Sequence, residues 1–320
     1  MWPYVRKWVH WALIGLCLVP AWVGARQAIW VWEQDTLDWL KSPPQAAQAA
    51  QWMRGQGIAV VYLYAGSHVD QDRLVEMPQA YAELLKTLRR SGLEVQALLG
   101  SGYLSTEKYV LPENRERARH MVQRVLDYNQ RASLGERFTG IHLDIEPHVL
   151  DDWSSRREEY IGMWLRVSEM WMAMKRQSGQ RLIVSPAIVF WLDGIRVEHA
   201  GVTKAASEHL QDIYDHVVLM DYRNRALGPD GILSHGQQEI DYGRRIGKPV
   251  WLGLEFSPNE IAKLTFDGQT LEFARRELRL VKQALAQEPA FGGIVIHHYG
   301  TYLRWLRARR AEHAPIVSKP

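Results

Sequence analysis

The sequence predicts a single-domain α/β fold, a (β/α)8 TIM barrel, on three observations. Short runs rich in valine, isoleucine, leucine and aromatic residues alternate with stretches of helical periodicity, which is typical of repeated βα units and a parallel sheet. With 320 residues, 47% of them hydrophobic, the chain has enough apolar material for one large core. An open, doubly wound sheet would normally bring a glycine-rich phosphate loop after an early strand, and the residues Glu33–Thr36 stand there instead.

Eight apolar runs predict the barrel strands, and a predicted helix follows each of them. The predicted strands are Ala28–Trp32, Ala59–Tyr64, Glu94–Leu99, Gly140–Glu146, Leu182–Ala187, His216–Tyr222, Pro249–Glu255 and Gly293–His298. The predicted helices are Pro44–Arg54, Gln79–Arg90, Glu113–Gln130, Arg156–Gln177, Lys204–Tyr214, Gln237–Arg245, Thr270–Ala286 and Tyr302–Glu312. We expect the strands to close into a barrel, because closure covers both faces of so many apolar strands.

The first 25 residues predict an export segment. Arg6 and Lys7 precede an apolar run, Trp8–Val23, and small residues up to Ala25 end it at the spacing of a signal-peptide cleavage site. The run is slightly short for a bilayer span, although an uncleaved membrane anchor stays open as the alternative. We therefore expect residues 1–25 to be a signal peptide or anchor, residues 26–320 to form the barrel, and the protein to be extracytoplasmic, either periplasmic or secreted.

Composition excludes some classes of partner. The formal net charge of +3, from 39 Lys and Arg against 36 Asp and Glu, does not favour a nucleic-acid partner. The chain has 14 tryptophans, whose flat rings suit carbohydrate binding. The only cysteine, Cys17, lies in the export segment, so no disulfide is expected in the mature chain. No phosphate-loop or zinc-ligand motif is present, and we expect neither a metal nor a cofactor.

The fourth predicted strand carries the strongest candidate site. The residues of a strand alternate between its two faces, so His142, Asp144 and Glu146 are expected to point into the barrel. The carboxyl ends of the strands form the active face of this fold. Burial would raise the pKa of such carboxyl groups, which is what a general acid working near neutral pH requires.

The segment Thr139–Glu146, TGIHLDIE, resembles the fourth-strand motif D-G-x-D-x-D-x-E of family 18 glycoside hydrolases, the chitinases and related N-acetylglucosaminidases. The segment VVLMDYR at Val217–Arg223 is similar to the M-x-Y-D element of that family, and the segment GGIVIH at Gly292–His297 is similar to its eighth strand. The chain has Thr139, His142, Arg223 and His297 where the family has Asp, Asp, Asp and Trp.

The resemblance implies a role for each matching residue. Glu146 would protonate the glycosidic oxygen, and Asp144 would orient the 2-acetamido group of the substrate as an internal nucleophile. Tyr222 would hydrogen-bond that acetamido group. His142 is expected to donate a hydrogen bond to Asp144. The remaining residues expected to bind substrate lie at strand ends: Trp32, Tyr64, Trp191, Met220, Asp221, Arg223, His297 and Tyr299.

A second arrangement of carboxylates stays open. Glu255 ends the seventh predicted strand, and a large clan of retaining barrel glycosidases places its acid/base Glu on strand four and its nucleophilic Glu on strand seven. Glu146 and Glu255 are similar to that pair.

The leading hypothesis from the sequence is therefore an exported glycoside hydrolase that cleaves a polysaccharide or cell-wall glycan, with an amino-sugar polymer favoured. The alternatives are a retaining glycosidase that uses Glu146 and Glu255, and a catalytically inactive sugar-binding barrel.

Overall fold

A computed structural model of the protein describes residues 26–66, 72–100 and 104–312, and the predicted export segment lies outside them. The strands are β1 (Arg26–Val31), β2 (Ile58–Tyr64), β3 (Glu94–Leu99), β4 (Gly140–Leu143), β5 (Ile183–Val189), β6 (Arg196–His199), β7 (Val202–Ala205), β8 (Val217–Met220), β9 (Val250–Glu255) and β10 (Phe291–His297).

The α-helices of the described residues alternate with these strands along most of the chain. They are α1 (Glu33–Lys41), α2 (Pro43–Gly55), α3 (Arg73–Glu76), α4 (Pro78–Arg90), α5 (Arg115–Arg131), α6 (Trp153–Ser178), α7 (Ala206–Ile213), α8 (Ile232–His235), α9 (Gln237–Ile246), α10 (Leu271–Ala284) and α11 (Tyr299–Glu312). Each of the eight predicted helices corresponds to one of these.

Eight parallel strands form a closed barrel in the order β1-β2-β3-β4-β5-β8-β9-β10, and β10 pairs back to β1. The predicted (β/α)8 barrel is therefore confirmed, and all eight predicted strands are present. The antiparallel hairpin of β6 and β7 is an addition that the sequence analysis did not predict. Its second strand takes up Lys204, which was predicted to begin the helix that here starts at Ala206.

Apolar side chains form two cores, one inside the barrel and one between the strands and the surrounding helices. Trp30 and Tyr62 fill the barrel interior, and both are almost fully buried. Gly253 on β9 makes room for this filling, because a Cβ atom there would come within 2.9 Å of the Trp30 ring. The interior is therefore packed, and the carboxyl ends of the strands, which form the active face in this fold, are called the mouth below.

Candidate active site

The chain leaves β4 at Leu143, so Asp144 and Glu146 lie just beyond the strand rather than within it. The amide of Asp144 donates to the carbonyl of Leu99 at 2.7 Å, and the hydroxyl of Thr106 donates to the carbonyl of Asp144. Gly100, with φ +131°, packs against this segment, and a Cβ atom there would collide with the Asp144 carbonyl oxygen. The backbone that carries the two carboxyl groups is thus held by neighbouring segments.

Both carboxyl groups after β4 have raised pKa values. Burial raises the pKa of Asp144 well above its usual value, and the charge of Glu146 adds to this effect. Burial also raises the pKa of Glu146, and the charge of Glu107 reinforces this effect. The nearest basic group to Glu146 is His148, whose Nε2 lies 3.3 Å from the Glu146 Oε2 atom. Burial lowers the pKa of His148 to about 4, so this imidazole is neutral near pH 7.

The pKa of Glu255, at the end of β9, is shifted in the opposite direction. Its Oε1 atom accepts hydrogen bonds from the backbone amides of Phe256 and Ser257, at 2.7 and 2.6 Å, and its Oε2 atom lies 2.7 Å from Nδ1 of His297. Burial acts to raise the pKa of Glu255, but the hydrogen bonds from His297 and Ser257 outweigh burial and hold the pKa at about 2. The group is therefore a carboxylate over the whole neutral range.

Trp32, His297 and Glu255 form a hydrogen-bonded chain that orients the Glu255 carboxylate. The indole Nε1 of Trp32 donates to Nε2 of His297 at 3.0 Å. Since an indole N–H can only donate, Nε2 of His297 must accept, and the ring proton must sit on Nδ1, facing Glu255. Trp32 thus selects the neutral tautomer of His297 that donates to the carboxylate.

Tyr222 lies among the three carboxyl groups. Burial raises the pKa of its phenol well above the usual value, and the charges of Glu255, Asp144 and Glu146 raise it further. Its ring packs against the barrel interior, with its centroid 5.7 Å from that of His297. The structure therefore brings together the four residues predicted to be catalytic, Asp144, Glu146, Tyr222 and Glu255.

Aromatic side chains border the acid on the β4 side of the mouth. Trp191, in the 3-10 helix that follows β5, is partly exposed and contacts the His148 ring edge-on at a centroid distance of 5.5 Å. Trp153, the first residue of α6, lies 6.2 Å from Trp191. These rings, together with partly exposed Trp32, are apolar surfaces beside the carboxyl groups.

Two residues predicted to bind substrate are buried below the mouth. His142 has no exposed surface, stacks on Tyr62 at a centroid distance of 3.9 Å, and hydrogen-bonds through Nδ1 to Oγ of Ser185 at 2.9 Å. The expected hydrogen bond from His142 to Asp144 is not formed, because the imidazole points into the barrel. Tyr64 is 1% exposed and likewise offers no platform to a sugar.

The residues around β8 separate into two environments. Met220 faces the barrel interior beneath Tyr222. Asp221 is fully buried on the other side of the strand, with His235 Nδ1 at 3.4 Å from its Oδ1 atom. Arg223 is engaged by Asp230 at 2.8 Å and lies over the Phe190 ring. Arg223 is thus occupied by neighbours within the protein, and Asp221 is buried away from solvent.

Tyr299 differs most from its predicted position. The sequence analysis placed Tyr299 at the end of the last strand, among the residues expected to bind substrate, but β10 ends at His297 and Tyr299 begins α11. Its ring lies in the outer core, edge-on to Trp39 and Trp52 at 5.0 and 5.4 Å. The prediction that Tyr299 lines the site is therefore wrong.

Sequence reasoning missed Glu107, His148 and Ser185. His148 stands two residues after Glu146, and this spacing was a usable signal. Glu107 and Ser185 come from other segments that only the closed barrel brings to β4. Within the described residues, no group of three or more His, Cys, Asp and Glu is arranged to hold a metal ion. No helix in that same part of the chain is long and apolar enough to cross a membrane.

Comparison with solved structures identifies the architecture. A GH18 chitinase from Pseudoalteromonas aurantia superposes with a TM-score of 0.55 at 13% identity, over 90% of this chain and 99% of that chain. A GH18 chitinase from Cycas revoluta, in complex with allosamidin, gives 0.55 at 13% identity over 88% and 96%. A β-1,4-mannanase from the sea hare Aplysia kurodai gives 0.56 at 10% identity over 88% of each chain. This chain has the barrel fold of these glycoside hydrolases.

Sequence comparison adds no closer relative. No family model matches the chain, and no curated protein matches it. The likeness to the solved structures is therefore one of fold, and any activity has to be argued from the side chains at the mouth.

Proposed function

We propose that the protein is a glycoside hydrolase in which Glu146 is the general acid and Glu255 is the ionised partner. The observation that carries this proposal is the opposite perturbation of two carboxyl groups at one barrel mouth. The pKa of Glu146 is raised, mainly by burial, whereas burial of Glu255 is outweighed by hydrogen bonds that hold its pKa at about 2. Pairs of acids whose environments push their pKa values apart mark the acid and the base or nucleophile of such enzymes.

In this mechanism Glu146 gives its proton to the glycosidic oxygen while the bond from that oxygen to the anomeric carbon breaks. The Glu255 carboxylate attacks the anomeric carbon and forms a glycosyl ester. Glu146, now ionised, then removes a proton from water, which attacks the anomeric carbon; the bond from that carbon to the Glu255 oxygen breaks and the carboxylate is released. The charges of the three carboxyl groups act on the Tyr222 phenol, and we propose that its hydroxyl donates a hydrogen bond at the reacting centre.

The substrate-assisted route is the second candidate, and the burial of Asp144 beside Glu146 favours it. In that route the acetamido oxygen of the substrate attacks the anomeric carbon, Asp144 orients the acetamido group, and Glu255 is not a nucleophile. Both routes use Glu146 as the acid.

The substrate we propose is a polysaccharide or cell-wall glycan, in line with the aromatic rings beside the acid. We further propose that the protein acts outside the cytoplasm, either secreted or held by its N-terminus, because of the apolar segment within residues 1–25.

Replacement of Glu146 tests the proposal. Glu146→Gln keeps the shape of the side chain but cannot deliver a proton, so we expect at least a thousandfold loss of kcat on any glycan that the wild type cleaves, with binding retained. Glu158 is an exposed glutamate on α6, so Glu158→Gln is the matched control and should keep wild-type kcat. Unchanged turnover in Glu146→Gln would remove this residue from the acid role.

The two routes differ in their dependence on Glu255. If Glu255 is the nucleophile, Glu255→Ala loses activity, and added azide restores cleavage with a glycosyl azide as product. Near-normal turnover of Glu255→Ala, with inhibition of the wild type by a thiazoline mimic of the cyclised acetamido sugar, would select the substrate-assisted route. Binding of glycans without any cleavage by the wild type would leave the inactive sugar-binding barrel.

A further inference from the structure

The residues on either side of Tyr222 are joined to each other by side chains of the segment that follows. His235, the last residue of α8, has its Nδ1 atom 3.4 Å from Oδ1 of Asp221 and its Nε2 atom 3.1 Å from Oδ1 of Asp230. Asp230 in turn accepts a hydrogen bond from Nε of Arg223 at 2.8 Å. Asp221 and Arg223 are the neighbours of Tyr222 in the chain. We call these four residues, Asp221, Arg223, Asp230 and His235, the clasp.

The contact between Asp221 and His235 is buried. The His235 side chain is 11% exposed and stacks on the Phe190 ring at a centroid distance of 4.0 Å. Asp221 has no exposed surface, and the only ion pair that the described residues offer it is the one with His235. Within that same part of the chain, neither carboxyl oxygen of Asp221 nor Nδ1 of His235 has a hydrogen-bond partner. The two groups therefore depend on each other for a favourable contact.

The geometry of the clasp requires one proton more than a neutral imidazole carries. A carboxylate can only accept hydrogen bonds, and a neutral imidazole donates through one nitrogen and presents a lone pair at the other. Both ring nitrogens of His235 face carboxyl oxygens, so without an added proton a lone pair would face the buried Asp221 carboxylate. A proton added to the ring or to Asp221 makes both contacts attractive. Its loss leaves Asp221 as a buried charge without a partner, which costs free energy.

We propose that His235 is a positioning residue for Tyr222: the clasp fixes the chain on both sides of Tyr222 while it carries the added proton, and it opens when that proton is lost. The inference rests on the proposed function only for the part that Tyr222 plays in the reaction. His235 acts through the backbone that carries Tyr222, because the clasp connects the residue before Tyr222 to the residue after it.

The charged groups around the clasp come from the segment after β8, from the 3-10 helix Phe190–Gly194, from the segment after β9 and from α9. Besides His235 they are Asp221, Arg223, Asp230, Asp193, Lys263 and Glu239. Asp230 stays a carboxylate, because hydrogen bonds from Lys263 and Arg223 hold its pKa at about 2. Glu239 is protonated near neutral pH, because burial raises its pKa to about 8. Asp221 is therefore the acid of the clasp whose charge changes in mildly acidic solution.

The direction of the pH dependence follows from Asp221. Burial raises its pKa to about 6, against the opposing effect of His235. Because this folded-state pKa lies above the ordinary value of 3.8, the stabilisation is fully present below pH 3.8 and is lost as pH rises through about 6. We therefore expect the clasp to be closed in acid and open in alkaline solution.

Hydrogen–deuterium exchange of the full chain, followed by mass spectrometry, tests the clasp without any substrate. The backbone amides of Arg223, Asn224 and Ile232 are hydrogen-bonded in the folded chain, so their exchange reports the opening of this segment. After correction for the intrinsic pH dependence of exchange, peptides that cover residues 221–235 should exchange roughly tenfold faster at pH 8 than at pH 5. Equal corrected rates at the two pH values would overturn the inference.

Three variants distinguish a proton-dependent clasp from a merely structural contact. Asp221→Asn offers an amide that donates to the unprotonated ring nitrogen, so the segment should stay protected at both pH values. His235→Gln cannot bridge both acids and should exchange rapidly at both. His199→Gln is the matched control, because it breaks a histidine contact with Glu169 elsewhere and should keep the wild-type pH dependence. An Asp221→Asn variant with the wild-type pH dependence would refute the proton count, and the wild-type rates decide the matter where a variant does not fold.

The kinetics of His235→Gln test the positioning of Tyr222. On a glycan that the wild type cleaves, kcat should fall about tenfold while KM stays within about threefold, because Tyr222 is displaced and the aromatic rings beside the acid are unchanged. An unchanged kcat would overturn the positioning role. If the wild type cleaves no glycan, the proposed function fails by itself, and the exchange rates of residues 221–235 still decide whether the clasp fixes the chain around Tyr222.

Discussion

Replacement of Glu255 by glutamine should destabilise the folded protein, which is a consequence separate from any loss of activity. The carboxylate accepts three hydrogen bonds, and glutamine has only one acceptor oxygen. If that oxygen faces the amides of Phe256 and Ser257, the new NH2 group faces the N–H of His297. If the His297 proton moved from Nδ1 to Nε2 instead, it would face the N–H of Trp32, which is also a donor. One donor in the chain is left unsatisfied in either case.

The expected size of this effect follows from the depressed pKa of Glu255. Holding the pKa at about 2, against an ordinary value of 4.5, corresponds to about 3 kcal/mol of preferential stabilisation of the charged form, at about 1.4 kcal/mol for each pKa unit. Because the folded-state pKa is lowered, this stability is fully present above pH 4.5 and is lost as pH falls towards 2. Glu255→Gln should therefore be about 3 kcal/mol less stable at pH 7 and approach the wild type in acid.

Urea unfolding followed by tryptophan fluorescence at several pH values between 7 and 3 measures this difference. Glu94→Gln is the control, because Glu94 forms a half-exposed ion pair with Arg26 at 2.7 Å, and such pairs contribute up to about 1 kcal/mol. A Glu255→Gln variant that is as stable as the wild type at pH 7 would refute the reasoning. A deficit of the same size at every pH would refute it too, since it would not come from the charge.

Three further predictions address the rest of the site. Tyr222→Phe should lower kcat about ten- to a hundredfold in steady-state kinetics with folding intact, because one oriented hydroxyl among the carboxyl groups is lost; an unchanged kcat would exclude a role in the reaction. Trp32→Phe removes the N–H that donates to Nε2 of His297, so kcat should fall about tenfold, because the imidazole that orients Glu255 loses its own hydrogen-bonded partner; an unchanged kcat would contradict this orienting role. His142→Leu should lower the free energy of unfolding by about 1–3 kcal/mol while KM stays within about threefold, because His142 is buried and bonded to Ser185; a large rise in KM would return it to the substrate site.

The fold could be predicted from the sequence because barrel strands leave a strong local signal. The strands of the closed sheet are mostly apolar on both faces, since one face packs inside the barrel and the other against helices. The hairpin of β6 and β7 left no such signal, because it is short and partly exposed and its residues, such as Glu198 and Lys204, are polar. Helix propensity predicted a helix over Lys204–Tyr214. Lys204 instead pairs with Val197 in the hairpin, so the helix begins later.

Part of the site could be predicted because side chains alternate between the two faces of a strand, and this alternation continues into the residues at the mouth. Asp144, Tyr222 and Glu255 were found from their positions at strand ends, and the structure brings them together with Glu146. The alternation of side chains predicts which face of a strand a residue occupies, but not how deep in the barrel it lies. His142 was therefore assigned to the site, although it lies one layer below the mouth, against Tyr62. Tyr299 was misplaced because alternation was continued past the residue at which β10 ends.

The pKa values of Glu146 and Glu255 are shifted in opposite directions, and the residues that follow each glutamate explain part of this difference. Glu255 is followed by Phe256 and Ser257, and both of their amides turn back to its carboxylate. Glu146 is followed by Pro147, which has no amide proton to donate, so the first of these two contacts cannot form there. Burial then dominates at Glu146 and hydrogen bonding dominates at Glu255. A proline after one glutamate and two amides after the other thus shift the pKa values of the two carboxyl groups in opposite directions within a single mouth.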